Sequence, residues 1–241
     1  FYFISGSGNK KTFTKNNLYK ISKSLKSEQN KFNINLCGGD TTFSKKLSFT
    51  ITSMGYSNKI IYRNKAKLND DIYVTGNLGD SYLGLRLLKN KDSIKKKDKL
   101  FFINKYYKPD LPLNLTKYLL KFANSSIDVS DGLIEDLSKM INRQNLSFHL
   151  FEKKIPISKK LDNLIKNQKL NKINLISNGD DYQILFTAGV NNARIIQNAS
   201  KTTGIKITKI GKIISGKDRS LIFGQKDKQI QAKSKGYIHR F

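Results

Sequence analysis

Apolar residues follow two different spacings along the chain, which predicts a protein built from both strands and helices. Near the start, residues 1–4 form a continuous apolar segment, while 33–36 and 47–56 alternate apolar with polar positions, as strands do. Between them, apolar residues three to four positions apart predict an amphipathic helix over 15–28. The glycine-rich stretch 38–40 then predicts a turn after the strand at 33–36.

The remainder of the chain interleaves strands with helices. Strands are predicted at 72–74, 126–129, 146–150, 182–187, 206–214 and 220–223. Helices are predicted at 80–88, 96–106, 114–123, 132–142, 158–167 and 191–202. A polar stretch at 63–70 marks the expected domain boundary. The pattern therefore predicts a mixed α/β (α+β) class with two domains, 1–65 and 66–241.

The charge of the chain narrows the classes of function. Lys plus Arg number 45 and Asp plus Glu number 18, which gives a formal net charge of +27. Such an excess is common in nucleic-acid-binding proteins. However, arginine, whose planar fork binds bases and phosphates through two bonds, accounts for only 6 of the 45 cations. Small anionic substrates suit this positive field equally well, and a lysine-rich nucleic-acid binder stays as an alternative.

Length and composition exclude several other classes. With 241 residues, 38% of them hydrophobic, the chain can bury a sizeable core. No apolar run approaches the roughly 18 residues of a membrane-spanning helix. One cysteine, Cys37, excludes a disulfide framework and a multi-thiolate zinc site. We expect Cys37 to be a small core residue, and the protein to be soluble and cytoplasmic.

The most informative chemical signal is the placement of carboxylates on glycine-containing turns at the ends of predicted strands. Three such turns are 38–42, 127–133 and 178–182, and 75–81 has the same build. A single acid on a turn is most often a helix cap or a turn former. Acids are few in this chain, so their collection on such turns favours a site. Backbone N–H groups there bind phosphates, and carboxylate oxygens suit Mg²⁺.

These turns also carry a resemblance to a known family. The sequence resembles the thiamine-monophosphate kinases, which belong to the superfamily of aminoimidazole ribonucleotide synthetase. Residues 36–42 read Leu-Cys-Gly-Gly-Asp-Thr-Thr and 126–133 read Ser-Ile-Asp-Val-Ser-Asp-Gly-Leu, both similar to family motifs. Similar motifs at 73–81, 178–187, 207–211 and 235–237 follow in the family's order over nearly the whole chain. The resemblance implies a two-domain aminoimidazole ribonucleotide synthetase-like fold with an incomplete N-terminal domain, because family members begin further upstream.

The resemblance implies an ATP- and Mg²⁺-dependent kinase that converts thiamine monophosphate to thiamine diphosphate. For Mg²⁺ and catalysis, it implies Asp40, Asp128 and Asp131. For ATP, it implies Gly39, Asp40, Arg63 and Ser130. For the thiamine moiety, it implies Asp180 and Tyr237. The substrate's own phosphate is largely ionised at neutral pH, so the reaction needs no general base. The ring of Tyr237 would stack on the cationic thiazolium. A homodimer, paired through the first-domain sheets, is implied as well.

Two departures from the family pattern qualify these expectations. Asp180 and Asn178 occupy positions where the family has glutamate and glycine, so the acid is one methylene shorter. The upstream stretch of the family carries further acidic metal ligands, so this chain has only part of the implied Mg²⁺ site, and a chain that is inactive by itself stays as an alternative. Another ATP-dependent enzyme of the superfamily, such as a ligase, a cyclising synthetase or a selenophosphate-forming enzyme, stays as an alternative.

Overall fold

The computed structural model describes residues 1–90, 94–168, 170–224, 228–232 and 236–237. Backbone contacts divide the chain into two compact units, Phe1–Asn58 and Lys59–Phe241. This division lies seven residues before the predicted boundary (65 − 58 = 7). The intervening residues belong to the second unit because they pack against it. The carbonyl of Tyr62 accepts a hydrogen bond from the Ser125 hydroxyl at 3.0 Å, and Ala66 is buried in the core of that unit.

The first unit is a three-stranded sheet with one helix. Its elements are β1 (Tyr2–Gly8), α1 (Lys15–Phe32), β2 (Leu36–Phe43) and β3 (Ser48–Ser53). Strand β1 is central, parallel to β2 and antiparallel to β3, so β1, α1 and β2 form a crossover unit. The Thr14 side chain caps α1 by accepting a hydrogen bond from the Asn17 N–H, and Asn33 ends the helix in a left-handed conformation.

The turn predicted at residues 38–40 is wrong, because these residues lie inside β2. Gly39 passes so close to β1 that an added Cβ would lie 1.7 Å from the carbonyl oxygen of Ile4. Glycine here serves the approach of two strands and not a chain reversal. The prediction of a buried Cys37 is wrong as well. Its side chain is exposed, because β2 is an edge strand of the three-stranded sheet and almost all its residues are exposed.

The second unit is a sheet of seven strands, within the described part of the chain, with helices on both faces. Its strands are β4 (Asp71–Thr75), β5 (Ala123–Asp128), β6 (Leu146–Phe151), β7 (Ile184–Ala188), β8 (Ile207–Ser215), β9 (Leu221–Phe223) and β10 (Gln229–Ile230). Its α-helices are α2 (Asp80–Leu88), α3 (Lys96–Tyr107), α4 (Thr116–Leu119), α5 (Leu133–Met140), α6 (Lys159–Gln168), α7 (Lys172–Ile176) and α8 (Ala193–Thr203). The strand order is β10-β9-β6-β8-β4-β7-β5, and the neighbours are antiparallel except β6 and β9.

The core of the second unit lies on both faces of β4, whose residues are all buried. On one face, Ile72 packs in a cluster with Leu137 of α5. On the other, the ring of Tyr73 stacks on Phe186 at 5.3 Å between centroids, in a cluster with Ile196 of α8. Burial of both faces explains the continuous apolar run at 72–74. The mixed α/β class predicted from the sequence is confirmed.

Two local predictions need correction. The helix predicted at 114–123 is replaced by a 3₁₀ turn (Leu113–Leu115) and the short α4, and β5 already begins at Ala123. Pairing with β7, where Ala123 lies opposite Ala188, overrides the helical pattern. The turn 178–182 follows α7 and leads into β7, so it precedes a strand instead of ending one. Within the described residues, no helix has the length and apolar character required to cross a membrane.

Candidate active site

Two turns of the second unit are joined by backbone hydrogen bonds. The turn 129–132 follows β5 and leads into α5, and the turn 177–183 leads into β7. The bonds run from the Val129 N–H to the Gln183 carbonyl (2.8 Å), from the Tyr182 N–H to the Val129 carbonyl (2.9 Å), and from the Asp180 N–H to the Ser130 carbonyl (2.9 Å). They continue the pairing of β5 with β7 beyond the strand ends. The residues that the sequence assigned to two separate motifs therefore lie on neighbouring turns.

Glycines allow these two turns to approach so closely. An added Cβ on Gly132 would lie 2.2 Å from the carbonyl oxygen of Ser177. An added Cβ on Gly179 would lie 2.0 Å from the carbonyl oxygen of Ser130, and the φ of Gly179 is +73°. Both distances are far below van der Waals contact, so a side chain at either position would push the turns apart.

The carboxylate of Asp136 holds the first turn in shape. Its Oδ2 accepts hydrogen bonds from the N–H groups of Ser130 (3.0 Å), Asp131 (2.9 Å) and Gly132 (3.0 Å). The residue is 1% exposed, and burial raises its pKa while the backbone donors act in the opposite direction. Sequence reasoning missed Asp136. The available signal was an acid in the first turn of a helix that begins directly after Gly132.

The acids assigned to Mg²⁺ have different surroundings. Asp128 is exposed at the end of β5. Asp131 is partly buried, and its Oδ2 lies 2.5 Å from the ammonium of Lys139. The same ammonium lies 3.7 Å from Oδ1 of Asp136 and 3.9 Å from Oε1 of Glu135. The hydrogen bond to Asp131 is the main cause that raises the pKa of Lys139. Three carboxylates thus surround one positive charge at this turn.

The family resemblance implies Mg²⁺, and the donors of this turn fit such an ion chemically. Mg²⁺ commonly binds one or two carboxylates, keeps several waters and takes further oxygens from substrate phosphates. Asp128 and Asp131 supply two carboxylates, and the position of the Lys139 ammonium marks a place that favours a cation. No group of three or more His, Cys, Asp or Glu side chains in the described part of the chain is arranged to hold a metal. Waters and phosphate oxygens would complete the coordination around these two carboxylates.

The two residues assigned to the thiamine moiety lie at the same pair of turns. The pKa of Asp180 is raised above its usual value. Burial is the largest cause and the negative charge of Asp131 adds to it, whereas the positive charge of Lys89 acts in the opposite direction. The Tyr237 N–H donates to the Asp131 carbonyl at 2.9 Å, and its side chain is exposed. Lys235, which precedes it in the motif, lies outside the described residues. The structure thus brings together Asp128, Ser130, Asp131, Asp180 and Tyr237.

The other residues assigned to ATP lie elsewhere in the chain. Gly39 and Asp40 belong to β2 of the first unit, where the Asp40 carboxylate accepts a hydrogen bond from the Thr41 N–H at 2.7 Å. Arg63 is exposed in the segment of the second unit that precedes β4. The assignment of these three residues to the nucleotide stays a prediction.

Two buried acids lie behind the site. Asp181 accepts hydrogen bonds from the N–H groups of Gly79 (2.7 Å) and Ser81 (3.4 Å), and Asp80 accepts one from the Ser158 hydroxyl (2.7 Å). Burial raises the pKa of Asp181 to about 7 and that of Asp80 to about 6. Both line a cavity of about 430 Å³. Of the consecutive acids at 180 and 181, Asp180 therefore lies at the joined turns and Asp181 is buried in the interior.

The buried Asp181 makes stability depend on pH. Because its pKa is raised on folding, the folded state binds the proton more tightly than the unfolded state. Its contribution is therefore present at low pH and is lost as the pH rises through 7. Between pH 5 and 8 we expect this group alone to lower the free energy of unfolding by about 2 kcal/mol.

Urea denaturation of the wild type and of Asp181→Asn at both pH values tests this expectation. Asparagine keeps an acceptor for the Gly79 N–H but does not titrate. The free energy of unfolding of the variant, taken relative to that of the wild type, should therefore rise by about 2 kcal/mol from pH 5 to pH 8. An unchanged difference between the two proteins would show that Asp181 is ionised across this whole range.

Known proteins resemble this chain in sequence and in structure over most of its length. No family model matches the chain. A thiamine-monophosphate kinase from Buchnera aphidicola subsp. Schizaphis graminum is 37% identical over 226 residues, which cover 92% of this chain and 69% of that protein. Among solved structures, the thiamine-monophosphate kinase from Stenotrophomonas maltophilia is 26% identical with a TM-score of 0.78, covering 93% of this chain and 71% of that one. AaThiL, complexed with AMPPCP and TMP, is 24% identical with a TM-score of 0.78, covering 98% and 73% of the two chains. The predicted fold is confirmed, and the chain belongs to the thiamine-monophosphate kinase family.

Proposed function

We propose that this chain is a kinase that transfers the γ-phosphoryl group of ATP to thiamine monophosphate, which yields thiamine diphosphate and ADP. The observation that carries the proposal is the pair of joined turns. They place Asp128, Asp131 and Asp180 together in a chain that belongs to this family. The complex of AaThiL with AMPPCP, an ATP analogue, and TMP supports the same two ligands here.

The residues of the turns divide the work of the reaction. Asp128 and Asp131 would hold Mg²⁺, which supplies neutralisation of charge between two polyanions when it is bound. The attacking oxygen belongs to the substrate phosphate, which is already ionised, so no side chain has to remove a proton. The hydroxyl of Ser130 faces the nucleotide in this assignment. Asp136 keeps the turn rigid, because it occupies three backbone N–H groups at once.

The thiamine moiety would be held by Asp180 and Tyr237. The carboxylate of Asp180 is a hydrogen-bond acceptor for the amino group of the pyrimidine ring. The ring of Tyr237 is exposed at these turns, where its backbone N–H is bonded to the Asp131 carbonyl, and would stack on the thiazolium ring. We further propose that the protein works in the cytoplasm as a homodimer, paired through the sheet of the first unit.

We expect the purified chain to form thiamine diphosphate from ATP, Mg²⁺ and thiamine monophosphate. Asp180→Ala should raise the KM for thiamine monophosphate about tenfold or more, because a hydrogen-bonded substrate contact is lost, and leave the KM for ATP within about twofold. Product formation by chromatography at varied substrate concentrations measures both constants.

The matched control is Asp162→Ala, which removes an exposed acid of α6 that pairs with Lys166. It should leave both constants unchanged. Absence of product from the wild type would refute the proposed activity for this chain. An equal loss of affinity for ATP and thiamine monophosphate in Asp180→Ala would refute the assignment of Asp180 to the substrate.

A further inference from the structure

Tyr182 lies between two buried residues, yet its own side chain is exposed. Asp181 and Gln183 are 3% and 5% exposed and turn inward, where Gln183 accepts a hydrogen bond from the Thr75 hydroxyl at 2.8 Å. Tyr182 is 42% exposed and shares the outward side of the turn with Asp180. Among the described residues, it belongs to none of the three hydrophobic clusters. Its ring therefore adds little to the packing of the core.

The backbone of Tyr182 is held in an unfavourable conformation. Its φ is +51°, in the left-handed region that a bulky side chain rarely adopts. The hydrogen bonds that join Tyr182 and Gln183 to Val129 on the facing turn hold it there. Glycine or asparagine would adopt this conformation at less cost. A strained residue whose side chain is not needed for packing is typical of a functional position.

The surroundings of the side chain are those of the candidate site. The hydroxyl of Tyr182 has a raised pKa, caused by burial and then by the negative charges of Asp180 and Asp128. The backbone of Tyr237 is bonded to Asp131 on the same pair of turns. An exposed tyrosine ring therefore lies beside the acids that the proposed reaction uses, in addition to the ring of Tyr237.

We propose that Tyr182 is a substrate-binding residue whose ring forms a wall against the cationic thiazolium ring of thiamine monophosphate. This inference rests on the proposed function and adds a contact to it. An aromatic face attracts a cation placed over it, and the attraction grows when water is excluded. In the left-handed conformation that Tyr182 adopts, its ring is exposed between the two buried side chains of Asp181 and Gln183.

Binding of thiamine monophosphate, measured by titration calorimetry with Mg²⁺ present, tests the proposal in two variants. Tyr182→Asn removes the ring but tolerates the left-handed backbone, and Tyr182→Phe keeps the ring. We expect Asn to weaken binding of thiamine monophosphate about tenfold, with ATP binding within about twofold, and Phe to stay within about threefold of the wild type. The melting temperature of Tyr182→Asn should equal or exceed that of the wild type.

The possible results separate this inference from the proposed function. Unchanged binding by Tyr182→Asn overturns the inference and leaves the kinase assignment intact. A lower melting temperature with equal losses for both ligands indicates a structural role and overturns it too. A loss in Tyr182→Phe as large as in Tyr182→Asn would assign the effect to the hydroxyl instead of the ring. If the wild type binds no thiamine monophosphate, both the inference and the proposed function are wrong.

Discussion

Replacing Asp128 with asparagine is expected to lower the rate of phosphoryl transfer about a hundredfold to a thousandfold. Asparagine has nearly the same shape but carries no charge. In the proposed reaction, two polyanions approach each other, and the carboxylate is needed to hold the cation between them. Asp128 is exposed at the end of β5, so its replacement leaves no buried group without a partner. The loss should therefore appear in activity and not in folding.

The rate at saturating ATP and thiamine monophosphate, measured over a range of Mg²⁺ concentrations, checks this expectation. The Mg²⁺ concentration for half-maximal rate should rise in the variant, because one ligand is lost. Asp162→Asn is the matched control, since it removes an equal charge from an exposed helix position. A full rate with an unchanged Mg²⁺ dependence would show that Asp128 is not a metal ligand.

The sequence was informative about the site where the chemistry lies within a few consecutive residues. Asp128 is the last residue of β5, and Ser130 and Asp131 lie on the turn between this strand and α5; both elements show in the hydrophobic pattern. Asp180 lies on a second turn that is likewise marked by glycine. The pattern does not reveal which turns meet, because this depends on the pairing of β5 with β7 across more than fifty residues of chain.

Two segments with similar sequences have different backbone conformations, because different long-range contacts act on them. The Gly-Gly-Asp of residues 38–40 continues a strand, because the backbone of β1 lies against Gly39. The Asn-Gly-Asp of residues 178–180 forms a turn, with Gly179 and Asp180 in the left-handed region. A local pattern cannot separate these two cases, since in each the neighbouring strand or turn selects the backbone conformation.

Asp136 is the residue that sequence reasoning most clearly missed, and its removal is expected to have the second large effect. Asp136→Ala should lower the free energy of unfolding by about 3 kcal/mol. Three N–H groups, one of them fully buried, would lose their acceptor, and each such loss costs about 1–3 kcal/mol. Water could reach the two partly buried donors, so the total lies well below the sum of three full losses. Urea denaturation at pH 7 measures it.

Asp136→Asn separates the acceptor from the charge. The amide oxygen of asparagine can accept the same three hydrogen bonds. Asp136→Asn should therefore lower the free energy of unfolding by less than half as much as Asp136→Ala does. The charge matters in a second way, because Asp136 also lies 3.7 Å from the Lys139 ammonium. If asparagine were as destabilising as alanine, the ion pair and not the turn would be the main role of Asp136. If alanine cost less than about 0.5 kcal/mol, the three hydrogen bonds would not hold the turn. We expect the free energy of unfolding to be much lower for Asp136→Ala than for Asp136→Asn. This result would mean that one buried oxygen fixes the backbone on which Ser130 and Asp131 are placed.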